Sequence, residues 1–170
     1  HGNAQHGRPG DRRSAARDLM APSIRASKAY AIVQGALIAC FALICFWHPG
    51  DSLFDSAAIA MAGLVLCAVG LALIAAGIVT LGRNIQVAPH VKEGARLVQR
   101  GIFRYLRHPI YTGMAACVVG LWLKAPYISV GAAGAALIFF LGVKRRVEEQ
   151  FLLEAYPEYA QYRRHTLALP

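Results

Sequence analysis

Residues 57–81 form an unbroken block of apolar and small residues without a single charged side chain. No other feature constrains the fold as strongly. About 20 consecutive apolar residues in a helix match the hydrocarbon thickness of a bilayer. In lipid, a helix also satisfies its own backbone polar groups, which an open strand cannot do. Three further apolar runs, residues 29–47, 110–123 and 127–143, accompany this block. The expected fold class is an all-α integral membrane protein of about four transmembrane helices, the last two forming a C-terminal helical hairpin.

The ends of the runs carry their own signals. Tyr30 and Trp47 sit where an aromatic belt would lie, and His48-Pro49-Gly50-Asp51 reads as a turn. Gly63, Gly70 and Gly77 recur every seven residues, so they share roughly one helix face and suit close helix packing within or between chains. The third run is short: fourteen helical residues cover roughly 21 Å against a core of about 30 Å. Pro109 fits the first turn of that helix, where its missing N–H costs nothing. Lys124-Ala125-Pro126 breaks the chain before the fourth run, whose helical pattern continues to Leu153 and ends near Tyr156-Pro157. Before the first run, residues 1–28 are polar and basic. About the first ten are expected to be disordered and residues 14–28 to form a short interfacial helix, leaving 29–170 as a single domain.

Charge gives an orientation. Of the 18 Lys and Arg residues, six precede the first run, six lie between runs two and three, and five follow run four. The loop 48–56 has none and the break at 124–126 has one. The positive-inside rule then puts both ends and the long loop in the cytoplasm. The net charge of +9 belongs beside anionic headgroups rather than nucleic acid, because the basic residues flank apolar blocks. Cys40, Cys45, Cys67 and Cys117 all lie inside apolar runs, with no C-x-x-C and no metal-ligand spacing, so they read as small buried hydrophobes. Phe46-Trp47-His48-Pro49 is no small-residue cleavage site, so the first run reads as retained.

Two polar patches converge at the cytoplasmic end of the hairpin, Arg104-x-x-Arg107-His108-Pro109-x-Tyr111 and Arg145-Arg146-x-Glu148-Glu149. Arginines at a membrane boundary are ordinary anchors. Acids there are not required by topology and want partners. An intrahelical Arg145–Glu149 pair at i, i+4 is the structural explanation, and a binding site is the functional one. No G-x-G, P-loop, H-E-x-x-H or G-x-S-x-G occurs, which removes the common nucleotide-binding, zinc-protease and hydrolase modules.

From about residue 80 onward, the series Arg107-His108-Pro109-x-Tyr111-x-Gly113, Glu148-Glu149-x-x-Leu152 and Tyr159-x-x-Tyr162 resembles the isoprenylcysteine carboxyl methyltransferase family and its wider relatives, the membrane phospholipid methyltransferases. The family's Gly-Pro-Tyr is here Gly101-Ile102-Phe103. The resemblance implies S-adenosyl-L-methionine held in a cytoplasm-facing cofactor pocket. In it, His108, Pro109 and Tyr111 line the pocket, Leu97 and Val98 offer backbone contacts, and Glu148 and Glu149 answer the amino group or ribose and hold the closing tail. Arg104 or Arg107 shapes the pocket or receives an anionic group, and Arg104, Arg107, His108 and Glu149 are the candidate catalytic residues. No metal is implied. The implied partner is a lipid-like or prenylated acceptor, first the carboxylate of an isoprenylcysteine-type or similar hydrophobic substrate, with phospholipid N-methylation as the alternative.

Methyl transfer from a sulfonium is an in-line displacement that mainly needs alignment. A carboxylate acceptor, as in isoprenylcysteine, needs no base, whereas an amine, as in a phospholipid headgroup, needs His108 or Glu149 to take a proton. A membrane lipid or sterol reductase using a nicotinamide cofactor and a non-enzymatic membrane protein are the alternatives. The topology makes a prediction of its own. In intact cells, Arg100→Cys should react only with thiol reagents delivered to the cytoplasm, and Ser52→Cys only with reagents on the other side. The reverse pattern, read by mass shift on a cysteine-free background, overturns the orientation.

Overall fold

The computed structural model describes the backbone of residues 9–47, 51–82 and 97–169, with side chains from residue 28 onward. Among the described residues are five α-helices, α1 (Pro9–Trp47), α2 (Ala57–Leu81), α3 (Pro109–Lys124), α4 (Ile128–Ala155) and α5 (Tyr159–Arg164), and a 3-10 turn over Gly101–Arg104 ahead of α3. Three of them contain apolar stretches long enough to cross a bilayer: Lys28–Trp47, Ala57–Leu81 and Ile128–Ala155. The protein is thus an integral membrane protein. The fourth expected span, α3, has 16 residues, or ~24 Å, below the length of the other three.

The N-terminal expectation needs correction. Residues 14–28 are not a separate interfacial helix, because α1 runs without a break from Pro9 into the apolar run. The Ala-rich junction Ala26-Ser27-Lys28-Ala29 holds no turn signal, and extending a helix costs far less than starting one. The expected disorder concerns residues largely outside those described.

The most extensive contact is between α2 and α3; α3 also packs on α4, and α1 lies against α4. The α2–α3 seam is a reciprocal antiparallel contact of small residues. A Cβ placed on Gly70 would stand 2.6 Å from the Gly113 carbonyl oxygen, and one on Gly113 would stand 2.5 Å from the Gly70 carbonyl oxygen. Two turns further along, Gly63 and Gly120 face each other in the same way. Between these pairs, the Cys67 Sγ lies 3.5 Å from the Cys117 carbonyl and the Cys117 Sγ 3.6 Å from the Cys67 carbonyl. At the far end of the seam Gly77 receives the side chains of Pro109 and Ile110. The heptad of glycines therefore packs within the chain, backbone against backbone.

On the other side of α3 a core of Phe41, Tyr111, Val118, Val130, Leu137 and Leu141 joins α1, α3 and α4. The connections between α1 and α2 and between α3 and α4 are stitched by a bridge between Ser52 and Tyr127 and by Leu53 N–H donating to the Pro126 carbonyl at 2.9 Å. At the opposite end, Gly101 adopts φ 57°, a conformation that L side chains rarely hold, and a Cβ there would also meet Thr80 Oγ1 at 2.9 Å. This turn brings the chain back under α2 and delivers it to Pro109.

The seam makes a stability prediction. Gly70→Val and Gly113→Val push a branched side chain into backbone that cannot yield, so each should cost at least the ~1–3 kcal/mol of ordinary overpacking. Gly35→Ala, with nothing within 4 Å of its Cβ, should stay within about 0.5 kcal/mol of the parent. Thermal unfolding in detergent separates the two cases.

Candidate functional site

The glutamates of α4 lie where α4 passes the start of α3. Pro109 opens α3 and is buried, so His108, as its N-cap, is held against the bundle. The His108 ring stacks on Tyr111 with centroids 5.6 Å apart and planes 4° from parallel. Its side chain is only 9% exposed, and the two nitrogens point at different acids: Nδ1 is 3.9 Å from Glu148 Oε2 and Nε2 is 3.3 Å from Glu149 Oε1. Neither contact is aligned as a hydrogen bond, and Nε2 has no hydrogen-bond partner among the described residues.

Glu149 is buried and is met by three basic side chains. Arg107 Nε donates to its Oε1 at 3.2 Å, His108 stands behind the same oxygen, and Arg163 Nε is 3.7 Å from Oε2. Glu148 occupies a different environment. Its Oε1 accepts from the Tyr111 hydroxyl at 2.6 Å and lies 3.8 Å from Lys144 Nζ. One carboxylate is therefore gripped by guanidinium groups, and the other is held by a phenol and an ammonium.

Arg107 does more than pair with Glu149. Its Nη1 donates to the carbonyls of Arg163 at 2.7 Å and Thr166 at 2.6 Å. The tail then runs beside residues 105–107: Leu167 N–H donates to the Tyr105 carbonyl, and Arg107 N–H donates to the Leu167 carbonyl, both at 2.9 Å. Arg145 Nη1 donates to the Ala168 carbonyl at 2.9 Å. The intrahelical Arg145–Glu149 pair is not formed. Arg145 reaches for the tail, Glu149 takes cations from other elements, and the i, i+4 pair on α4 is Lys144–Glu148.

Tyr159 and Tyr162 close the site from below. Tyr162 donates its hydroxyl to the Phe103 carbonyl at 2.5 Å, tying α5 to the 3-10 turn. Burial pushes the Tyr162 hydroxyl up to about 12, against a smaller opposing pull from Arg107. Burial and then the charge of Glu149 raise the Tyr159 hydroxyl, which has no hydrogen-bond partner among the described residues.

The structure brings together Arg107, His108, Pro109, Tyr111, Glu148 and Glu149 from the sequence-based set. It does not bring in Arg104, which is exposed on the 3-10 turn, and it leaves Leu97 and Val98 half-buried in irregular chain outside the ion-pair cluster. Sequence reasoning missed Gln34, Lys144, Arg163 and Thr166 as members. Gln34 carried a signal, as the amide set inside the first apolar run, and Lys144 stands one turn before Glu148. A cleft of about 410 Å³ lined by Asp55, Lys124 and Tyr127 lies at the other end of the helices and contains none of the cluster.

Fold and cluster define a membrane helical bundle with a polar site gathered at one end. Residues 58–159, more than half the chain, match the family described as phospholipid methyltransferase, and the chain belongs to that family. Methyl transfer at a membrane is the general class of activity this membership supports. Comparison with curated proteins and with solved structures finds no match. The match begins in α2 and ends in α5, so it contains the His108, Glu148 and Glu149 constellation but not α1 or the residues that bridge to 105–107.

The network around Arg107 predicts a separable effect. Arg107→Ala removes charge-assisted hydrogen bonds worth about 1.5–3 kcal/mol each and should lower hydrogen-exchange protection of the Leu167 amide at least tenfold. Arg104→Ala should leave that protection unchanged.

Proposed function

We propose that this protein transfers a methyl group from S-adenosyl-L-methionine to the polar head of a membrane lipid, with an amine acceptor as the leading reading. Family membership supports a lipid acceptor in general. The observation that carries the amine reading is the buried His108 imidazole backed by a carboxylate, with Glu149 Oε1 3.3 Å from its Nε2.

The residues suit the cofactor. S-adenosyl-L-methionine carries an ammonium, a carboxylate and a ribose diol, and the cluster holds acids, cations and the buried Tyr159 OH, which has no hydrogen-bond partner among the described residues. Glu148 Oε1 is committed to Tyr111, which leaves Oε2, with His108 Nδ1 3.9 Å away, as the oxygen to answer a cationic or hydroxyl group. When bound, the cofactor supplies an electrophilic methyl on a positively charged sulfur.

His108 would take, on the ring nitrogen turned away from Glu149, the proton that an ammonium acceptor must lose before its lone pair can attack, and Glu149 beside Nε2 would steady the resulting imidazolium. The N–CH3 bond forms as the CH3–S bond breaks, and the proton stays on His108 until water removes it. The carboxylate acceptor expected from the isoprenylcysteine resemblance takes second place. It would call on Arg107 to receive the acid, and Arg107 Nε and Nη1 are occupied by Glu149 and the tail carbonyls. In the orientation given by the basic residues, the cofactor enters from the cytoplasm and the acceptor from the bilayer.

The test uses purified protein in nanodiscs with methyl-labelled S-adenosyl-L-methionine, offered phosphatidylethanolamine or a prenylcysteine acid. Base-stable label in the phospholipid is expected, because an N-methyl group survives alkali and a methyl ester does not. His108→Ala should lower the rate by about 100-fold or more. Base-labile label in the prenylcysteine would reverse the order of the two acceptors, and absence of S-adenosyl-L-methionine binding by folded protein would overturn the reading.

A further inference from the structure

Lys144 is the most deeply buried charge among the described residues, 1% exposed on a helix that is apolar from Ile128 to Val143. Such a group is expensive to place there. Desolvating an ammonium costs several kcal/mol, and a well-packed apolar residue in its place is often neutral or better for stability. The contacts of Lys144 show where it is directed. Its Nζ donates to Gln34 Oε1 of α1 at 2.6 Å, stands 5.5 Å above the Tyr111 ring, and lies 3.8 Å from Glu148 Oε1. Gln34 in turn points its Nε2 at Met114 Sδ of α3, 3.8 Å away. A line of polar groups thus runs from α1 through α4 to the carboxylate that presents Oε2.

We propose that Gln34 and Lys144 are positioning residues for Glu148, so that α1 takes part in cofactor binding although its one member of the cluster, Gln34, touches neither His108 nor either glutamate in the contacts described. Gln34 fixes the ammonium by accepting from it. The ammonium and the Tyr111 hydroxyl then hold Oε1 from two directions, which sets the carboxylate plane and leaves Oε2 free toward a ligand. With Gln34 replaced by an apolar residue, the lysine loses its 2.6 Å hydrogen bond to α1 and can swing onto Glu148 in a close ion pair, competing with the ligand for the carboxylate. This role presupposes S-adenosyl-L-methionine as that ligand. It concerns a residue outside the segment that matches the family.

The experiment is calorimetric binding of S-adenosyl-L-methionine to the full chain in detergent, with thermal unfolding of the ligand-free protein alongside. Gln34→Leu should weaken binding at least tenfold with little change in Tm. Gln34→Glu, which keeps an oxygen for Lys144, should stay within threefold of the parent. In a Glu148→Gln background, Gln34→Leu should add nothing, because the group it positions is gone. In a Lys144→Met background Gln34→Leu should likewise add nothing, because the cation that Gln34 restrains is gone. Parental affinity in Gln34→Leu, or a loss that adds fully to that of Glu148→Gln, would overturn the positioning role while leaving the cofactor assignment standing. If Gln34→Leu loosens the whole bundle, the same cycle decides, because global loosening adds to the loss of the carboxylate. A parent protein that binds no S-adenosyl-L-methionine removes both ideas together.

Discussion

Backbone contact along the α2–α3 seam is the constraint on which the rest of the molecule depends. Lipid tails are as apolar as leucine side chains, so helices in a bilayer gain little from merely hiding hydrophobic surface and associate through close packing and polar contacts. Gly63, Gly70 and Gly77 on α2 and Gly113 and Gly120 on α3 permit that approach. The seam also sets the longitudinal position of α3. Because Gly77 receives Pro109, the first turn of α3 and therefore His108 are placed at a fixed height against α4, and the imidazole meets two glutamates instead of sliding past them.

Around that fixed point the electrostatics divide into two functions. Glu149 is surrounded by Arg107, Arg163 and His108 and keeps the tail docked. Glu148, one residue along, faces the other way round the helix and is held by Tyr111 and Lys144. Adjacent residues on a helix point about 100° apart, so two neighbouring acids naturally serve two different surroundings. A buried charge cluster of this kind adds little to fold stability once desolvation is counted. Its arrangement is the preorganisation that the proposed binding of a charged cofactor calls for.

Much of this was legible in the sequence. The span of α2, the proline at the start of α3, the continuation of α4 past the apolar run and the meeting of the His108 and Glu149 patches follow from periodicity, breakers and charge. Other features were not legible, for identifiable reasons. Whether Arg145 pairs along its own helix or with the tail depends on where Ala168 returns, and no local pattern encodes that return. Gln34 and Lys144 are 110 residues apart, and their meeting depends on α1 lying against α4, which the order of apolar runs leaves open. The length of α1 was misread because the change from polar to apolar composition at residue 28 marks a membrane boundary, not the end of a helix.

The parallel pairing of Leu106 with Leu167 has a consequence for biogenesis. Arg107 reaches its full set of hydrogen bonds only when residues 163–168 fold back beside it, and these follow every membrane helix in the chain. The glycine seam between α2 and α3 uses no residue beyond Lys124 and can close before that stretch folds back. In that interval Glu149 has Arg107 and His108 beside it but lacks Arg163, and the strand that covers residues 105–107 is missing. The bundle therefore matures in two stages, with the polar end completed only when residues 163–168 dock. Quality control acting on this protein would meet an intermediate that is correctly threaded through the membrane but still open at its polar end.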